Sequence, residues 1–119
     1  MSTKTYLSMV AREDLDTAQY KIVNVHDENG IKLRVAAGAG VLGVLDNEPK
    51  SGENATVVVA GLTRCFAGAT MGAGNWVTVT ASGTATVATS GDYILGKSIS
   101  GCASGSNFQL LIQHNGYRG

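Results

Sequence analysis

The sequence predicts an all-β fold: a small sandwich or barrel of short antiparallel strands, preceded by an N-terminal arm. Three observations predict it. Apolar and polar residues alternate with period two in "YKIVNVH" and "IKLRVA". Sixteen glycines punctuate runs rich in Val, Ile and Thr that are too short for helices. The stretch "GVLGVLDNEPKSGENATVVV", Gly40 to Val59, is echoed by "YILGKSISGCASGSNFQLLI", so that raising each number by 53 carries Val41, Leu42 and Gly43 onto Ile94, Leu95 and Gly96. The same step carries Ser51, Gly52 and Asn54 onto Ser104, Gly105 and Asn107. What is written twice is a strand, a Ser-Gly turn and a second strand, with no catalytic side chain in common.

Taken in order, the chain opens with an arm over residues 1–19. Within it "VAREDLDTAQY", Val10 to Tyr20, places Glu13, Asp14 and Asp16 ahead of an apolar trace at Val10, Leu15 and Ala18, enough for about two marginal helical turns. An extended arm is the alternative. The β domain, residues 20–119, starts with a hairpin of Tyr20–His26 and Ile31–Ala36 around "DENG". Strands follow at Val41–Leu45, Thr56–Ala60, Leu62–Phe66, Trp76–Thr80, Thr84–Ala88, Tyr93–Lys97 and Phe108–Gln113, with turns between them. The echoed units, 41–59 and 94–112, read as a duplication within that domain, and Gly43 and Gly96 as equivalent points of close strand approach.

A chain of 119 residues makes one domain with one core and a short arm. Nine basic and nine acidic residues cancel, which removes the positive field a duplex nucleic-acid binder requires. The charges crowd the first third, and from Cys65 to Tyr117 only Asp92 and Lys97 are charged. Uncharged β-edges over such a length invite pairing unless something covers them, so this half is expected to be covered by other subunits. "MSTKTYLSMVARED" contains neither a signal-peptide core nor a membrane span, so synthesis in the cytoplasm is expected, with no membrane partner. Two cysteines, Cys65 and Cys102, in such a chain read as reduced thiols.

Motifs that carry chemistry are weak here. Gly38, Gly40 and Gly43 match G-x-G-x-x-G, but Pro49 and "VLGVL" deny the helix, and "VVVAGLTR" the acid, that a dinucleotide site requires. His26 beside Asp27 and Glu28 reads as a polar turn, since neighbours on a strand point in different directions. His114 has no acid or nucleophile near it in sequence, and the Asn54-Ala55-Thr56 sequon has no export signal to use it. No catalytic, metal or cofactor set is therefore assigned, and no enzyme activity is expected. Trp76, the only tryptophan, is either core or the aromatic anchor of a subunit interface. In the arm, Tyr6, Leu7, Met9 and Val10 form an apolar cluster between Lys4 and Arg12, too small to hold itself in place; it is expected to be mobile until it docks on a partner, with Glu13 and Asp14 pairing at the rim, the alternative being that it folds back and packs within the trimer.

Residues 36–113 resemble the capsid cement, or head decoration, proteins of tailed bacteriophages. The likeness lies in the order of its elements: the "VLG" of Val41–Gly43, the turn Pro49–Glu53, the strand Val57–Gly61, the "AGATMGAG" of Ala67–Gly74, Val77–Gly83, the "ILG" of Ile94–Gly96 and the strand Phe108–Ile112. The longer charged N-terminal part and the extra hairpin depart from the family's pattern. The resemblance implies a β-rich domain that assembles as a homotrimer outside an expanded icosahedral shell and braces neighbouring major capsid subunits. Taken with the arm's own apolar and charged residues, this makes Lys4, Tyr6, Leu7, Met9, Val10 and Arg12 the expected capsid contacts and Trp76 the expected trimer contact. Neither cofactor nor nucleic acid is implied. The alternative is a β-sandwich module of a virion fibre that binds carbohydrate or a host surface, which several aromatics on one face would favour. Beside Trp76 the sequence offers only Tyr6, Tyr20, Tyr93 and Tyr117.

Overall fold

The computed structural model describes residues 4–28, 30–33, 41–80 and 83–117. Nine strands are formed among them: β1 (Lys4–Ala11), β2 (Ile22–Asp27), β3 (Gly30–Lys32), β4 (Gly43–Leu45), β5 (Asn54–Phe66), β6 (Trp76–Val79), β7 (Ala85–Val87), β8 (Tyr93–Ser98) and β9 (Asn107–Tyr117). None of the described residues is helical. The all-β expectation holds, and the architecture is a barrel.

Five strands close a ring. β1 runs parallel to β3, β3 antiparallel to β2, β2 to β4, and β4 to the first half of β5, which pairs back on β1 from Val10↔Asn54 to Lys4↔Gly61. The second half of β5 starts a like circuit through β9, β8, β6 and β7, completed by the single parallel bridge Ala67↔Ala85. The sequence reading broke β5 into two strands at Gly61. The chain runs through instead, because Gly61 is paired on both edges, with Lys4 and with Ile112.

The two circuits are built to one plan. Raising the pairs Val44↔Val58 and Leu45↔Val57 by 53 gives Lys97↔Leu111 and Ser98↔Leu110, which are formed. The correspondence reaches beyond the echoed segments. Raising Asn24↔Lys32 and Val25↔Ile31 of the first hairpin by 54 gives Thr78↔Thr86 and Val79↔Ala85 of the second. Tyr20 donates its N–H to the Leu45 carbonyl as Gly74 does to that of Ser98, at 2.7 Å in each case. Tyr20 has the only positive φ among described non-glycine residues, 69°, matching 81° at Gly74. A backbone conformation that suits glycine is thus kept where a tyrosine stands.

Of the arm 1–19 that the sequence leaves mobile, residues 4–18 are built into the first barrel. Met9, Ala11, Leu15 and Ala18 are buried with Val23, Ile31, Leu45, Ala55 and Val57 in its core. Beyond β1 the chain makes turns, not the two helical turns expected: the Leu15 N–H bonds the Pro49 carbonyl at 2.8 Å and the Ala18 N–H that of Leu15 at 3.1 Å. So short a helix cannot meet its nucleation cost, whereas each apolar side chain here fills the barrel interior. The arm's apolar residues lacked a β pattern of their own because they take their register from β5.

Gly43 and Gly96 mark the closest approach of strands. A Cβ on Gly43 would lie inside van der Waals distance of the Val58 carbonyl, and one on Gly96 inside that of the Leu111 carbonyl, which is the same place 53 residues on. Neither carbonyl can retreat, as both belong to ladders paired on the far side. Gly43→Ala and Gly96→Ala are each expected to cost about 3 kcal/mol, the upper range for overpacking. Gly52→Ala, where only backbone strain opposes a Cβ in open space, is expected to cost about 1 kcal/mol. Urea unfolding of the three variants measures the difference; equal losses would remove the steric account.

Candidate interaction surface

The six arm residues expected to meet a partner are separated by the strand they form. Along β1 the exposed apolar side chains are Tyr6, at 49 % of its free surface, and Leu7, at 40 %, between exposed Thr5 and Ser8, whereas Met9 turns into the first core and Val10 is half-buried. Met9 is thus committed to the fold. Lys4 pairs through its backbone with Gly61, and its side chain is outside the described set. Arg12 is exposed and donates from Nη2 to the Glu28 carbonyl at 3.2 Å. The acids expected at a rim serve the chain's own loops: Glu13 Oε2 accepts from the Leu33 N–H and Asp14 Oδ1 from the Ser51 N–H, both at 2.9 Å. Among the described residues β3 reaches only Val10 and Ala11 of β1, and none pairs with the edge of Thr5 to Ser8 that faces away from β5.

Trp76 is in neither barrel's core. It stands half-buried on the outside of β6, with the Lys97 ammonium 5.2 Å above its ring. Opposite pairing sets Trp76, Lys97 and Leu111 in one row across β6, β8 and β9. The corresponding row of the first barrel is Ile22, Val44 and Val58, across β2, β4 and β5. Those three are fully buried and belong to one apolar cluster with Val77, Val79, Leu95 and Phe108 of the second barrel, not to their own barrel's core. The seat is closed by two backbone bonds: the Ile22 N–H to the Gly83 carbonyl at 2.7 Å and the Phe66 N–H to the Tyr20 carbonyl at 2.8 Å. Sequence reading missed this inter-barrel contact. Its signal was the extension of the repeat to β2 and β6, which substitutions such as Ile22 against Trp76 hide.

Other expectations find a plain structural place. Gly43 of the G-x-G-x-x-G match packs against β5, while Gly38 and Gly40 lie outside the described residues, as do the side chains of His26 and His114. Among the described residues no group of three or more His, Cys, Asp or Glu side chains converges. Among the described residues no helix is long and apolar enough to cross a membrane. Arg64, Ser100, Asn107, Phe108 and Gln109 line an open depression beside β9.

Geometry defines the class as a small all-β protein of two barrel-like circuits sharing a strand, with apolar side chains displayed on β1 and β6. In fold the chain is similar to the crystal structure of the head fibre gp8.5 N base of bacteriophage phi29, at TM-score 0.74 and 15 % identity, over 98 % of this chain and 100 % of that one. No family model matches the sequence, and no curated protein matches it.

Both cysteines are free thiols. Cys65 is fully buried on β5, and loss of hydration pushes its thiol far above the ordinary value of 9.0. Cys102 is half-buried, 3.5 Å from the Ser106 carbonyl. A thiol protonated in the folded state but free to ionise when unfolded stabilises the fold fully below that ordinary value and progressively less above it. The stability of the native protein above pH 9.0 is therefore expected to fall more steeply than that of Cys65→Ala, by about 1.4 kcal/mol per pH unit. Parallel slopes would mean that the buried thiol ionises in place. Alkylation of the folded protein is expected at Cys102 alone.

Proposed function

We propose that this chain is a structural protein of a tailed-phage head, with no catalytic role and no cofactor. It assembles as a homotrimer on the outside of the expanded shell and cements neighbouring major capsid subunits after synthesis in the host cytoplasm. The observation that carries this reading is the likeness along almost the whole chain to the base of a phage head fibre. Two features suit the role. The barrels are fastened into one body through the Ile22–Val44–Val58 row, which a bracing element requires, and the second is nearly free of charge outside Asp92 and Lys97. Many weak copies on a lattice gain in avidity what each lacks in affinity. The shell contact is assigned to the open edge of β1, with Tyr6 and Leu7 as apolar anchors and Lys4, Val10 and Arg12 beside them. Trp76 is assigned to self-contact. Neither nucleic acid nor membrane is a partner in this reading.

A second reading is favoured by the neighbour's own description as the base of a fibre. There the chain seats a fibre on the head and takes part in binding carbohydrate or a host surface, with shell bracing incidental.

Removing β1 would open the first barrel, so the contact is tested by substitution. Purified protein is titrated onto expanded shells that lack it, and occupancy is read by cryo-electron microscopy. The expected outcome is saturable decoration that raises the shell's melting temperature, with Tyr6→Ala/Leu7→Ser weakening binding by about tenfold or more while leaving the circular dichroism unchanged. Decoration without shell stabilisation, together with defined glycan-array binding, would favour the fibre reading. Absence of decoration would sink both.

A further inference from the structure

The first barrel's outer row is covered by the second barrel, and the same row on the second barrel is only partly covered, with Lys97 lying over Trp76. Ile22, Val44 and Val58 are each at 0 % exposure, while at the matching positions Trp76 and Leu111 are half-buried and Lys97 is exposed. Next to Lys97 on that face stands Ile99, 47 % exposed, where the first barrel has Asp46. What seats on the covered row is also known. It is the β6–β7 hairpin end of the second barrel, with Gly83 bonded to Ile22 and lying against Leu33, and with Val79 at 1 % exposure. The matching hairpin of the first barrel, β2–β3, has no such seat: Val25, the counterpart of Val79, is 50 % exposed. Each chain therefore has one unfilled seat and one unseated hairpin of the pair that already fits together inside it.

We propose that the β2–β3 hairpin of one copy docks on the Trp76–Lys97–Leu111 row of the next, repeating between chains the contact that joins the two barrels within a chain. Val25 packs against Trp76 and Leu111. The hairpin carries acidic Asp27 and Glu28 in sequence, complementary to the Lys97 ammonium on the row; that lysine replaces Val44 of the internal contact. Burial between copies leaves the stem of Lys97 along the indole and its charge at the rim, where a hairpin acid neutralises it. The contact is heterologous: each copy offers a different patch to each neighbour, so a ring forms where the rotation closes. This proposal rests on the self-assembling reading above and names the two patches it uses. Its test is done in solution without shells, so its failure leaves the shell-binding result standing or falling separately.

The experiment uses the full chain carrying Cys102→Ser, with Val25→Cys and Lys97→Cys introduced singly into separate preparations. Head-to-tail docking predicts that mild oxidation of the mixture gives a disulfide-linked dimer joining one variant to the other, and that neither preparation alone does so. The double variant should give a ladder ending at the closed ring. Sedimentation of the unoxidised protein should show Val25→Asp, at an exposed site, and Trp76→Ala each weakening self-association by about thirtyfold, the level of a central interface residue. Predominant Lys97→Cys homodimers would mean a twofold contact between identical rows and would overturn the proposal. So would cross-linking no greater than that of an exposed control, Ser104→Cys, which would make the Lys97-covered row a solvent cap.

Discussion

The whole molecule takes its register from β5. One continuous strand of 13 residues serves as the last strand of the first circuit and the first strand of the second. Its first half lies between β1 and β4, and its second half pairs with β9. A slip of one residue along it would exchange core and outer side chains in both circuits at once, which is why its pairing is so fully specified. The close approaches at Gly43 and Gly96 follow from the same strand plan, each setting a short strand against a carbonyl of its longer partner.

Sharing a strand also fixes how the barrels meet. With β5 common to both, the outer face of the first barrel is brought beneath the β6–β7 hairpin, and the Ile22–Val44–Val58 row becomes interior. A small barrel alone buries little apolar surface, and two circuits that bury a row between them gain a second core without a second domain. The cost is a polarity in the molecule: one row is filled, the matching row is not. Where copies meet, such polarity recurs on each of them, so one unfilled patch is presented as many times as there are copies.

The candidate surfaces were legible in unequal degree. Tyr6 and Leu7 stood out as apolar residues among charges and are exposed, but Met9, from the same cluster, is core, although Leu7 two residues before it shares its face of β1: depth within the barrel, which composition does not record, divides them. Glu13 and Asp14 looked like rim charges and in fact accept from Leu33 and Ser51, two segments distant in sequence. Trp76 was open between core and surface on sequence grounds; its position on the outer row follows from pairing with Lys97, a contact across 21 residues that no local pattern encodes.

By itself the sequence determined the fold class, most strands and the duplicated plan of 41–59 and 94–112, because alternation, turn glycines and equal spacing are local and survive in the chain as written. Only the tertiary structure decided that β1 is a strand, that β5 is unbroken at Gly61, and that the likeness between halves extends to β2–β3 and β6–β7. These depend on partners far along the chain. β1 has neither a turn nor an apolar alternation to announce it and becomes a strand by pairing with a ladder that exists only once β5 is in place. Side chains in the two hairpins diverged because one is buried against a barrel and the other is not, so the equivalence is kept by backbone register, where sequence comparison does not look.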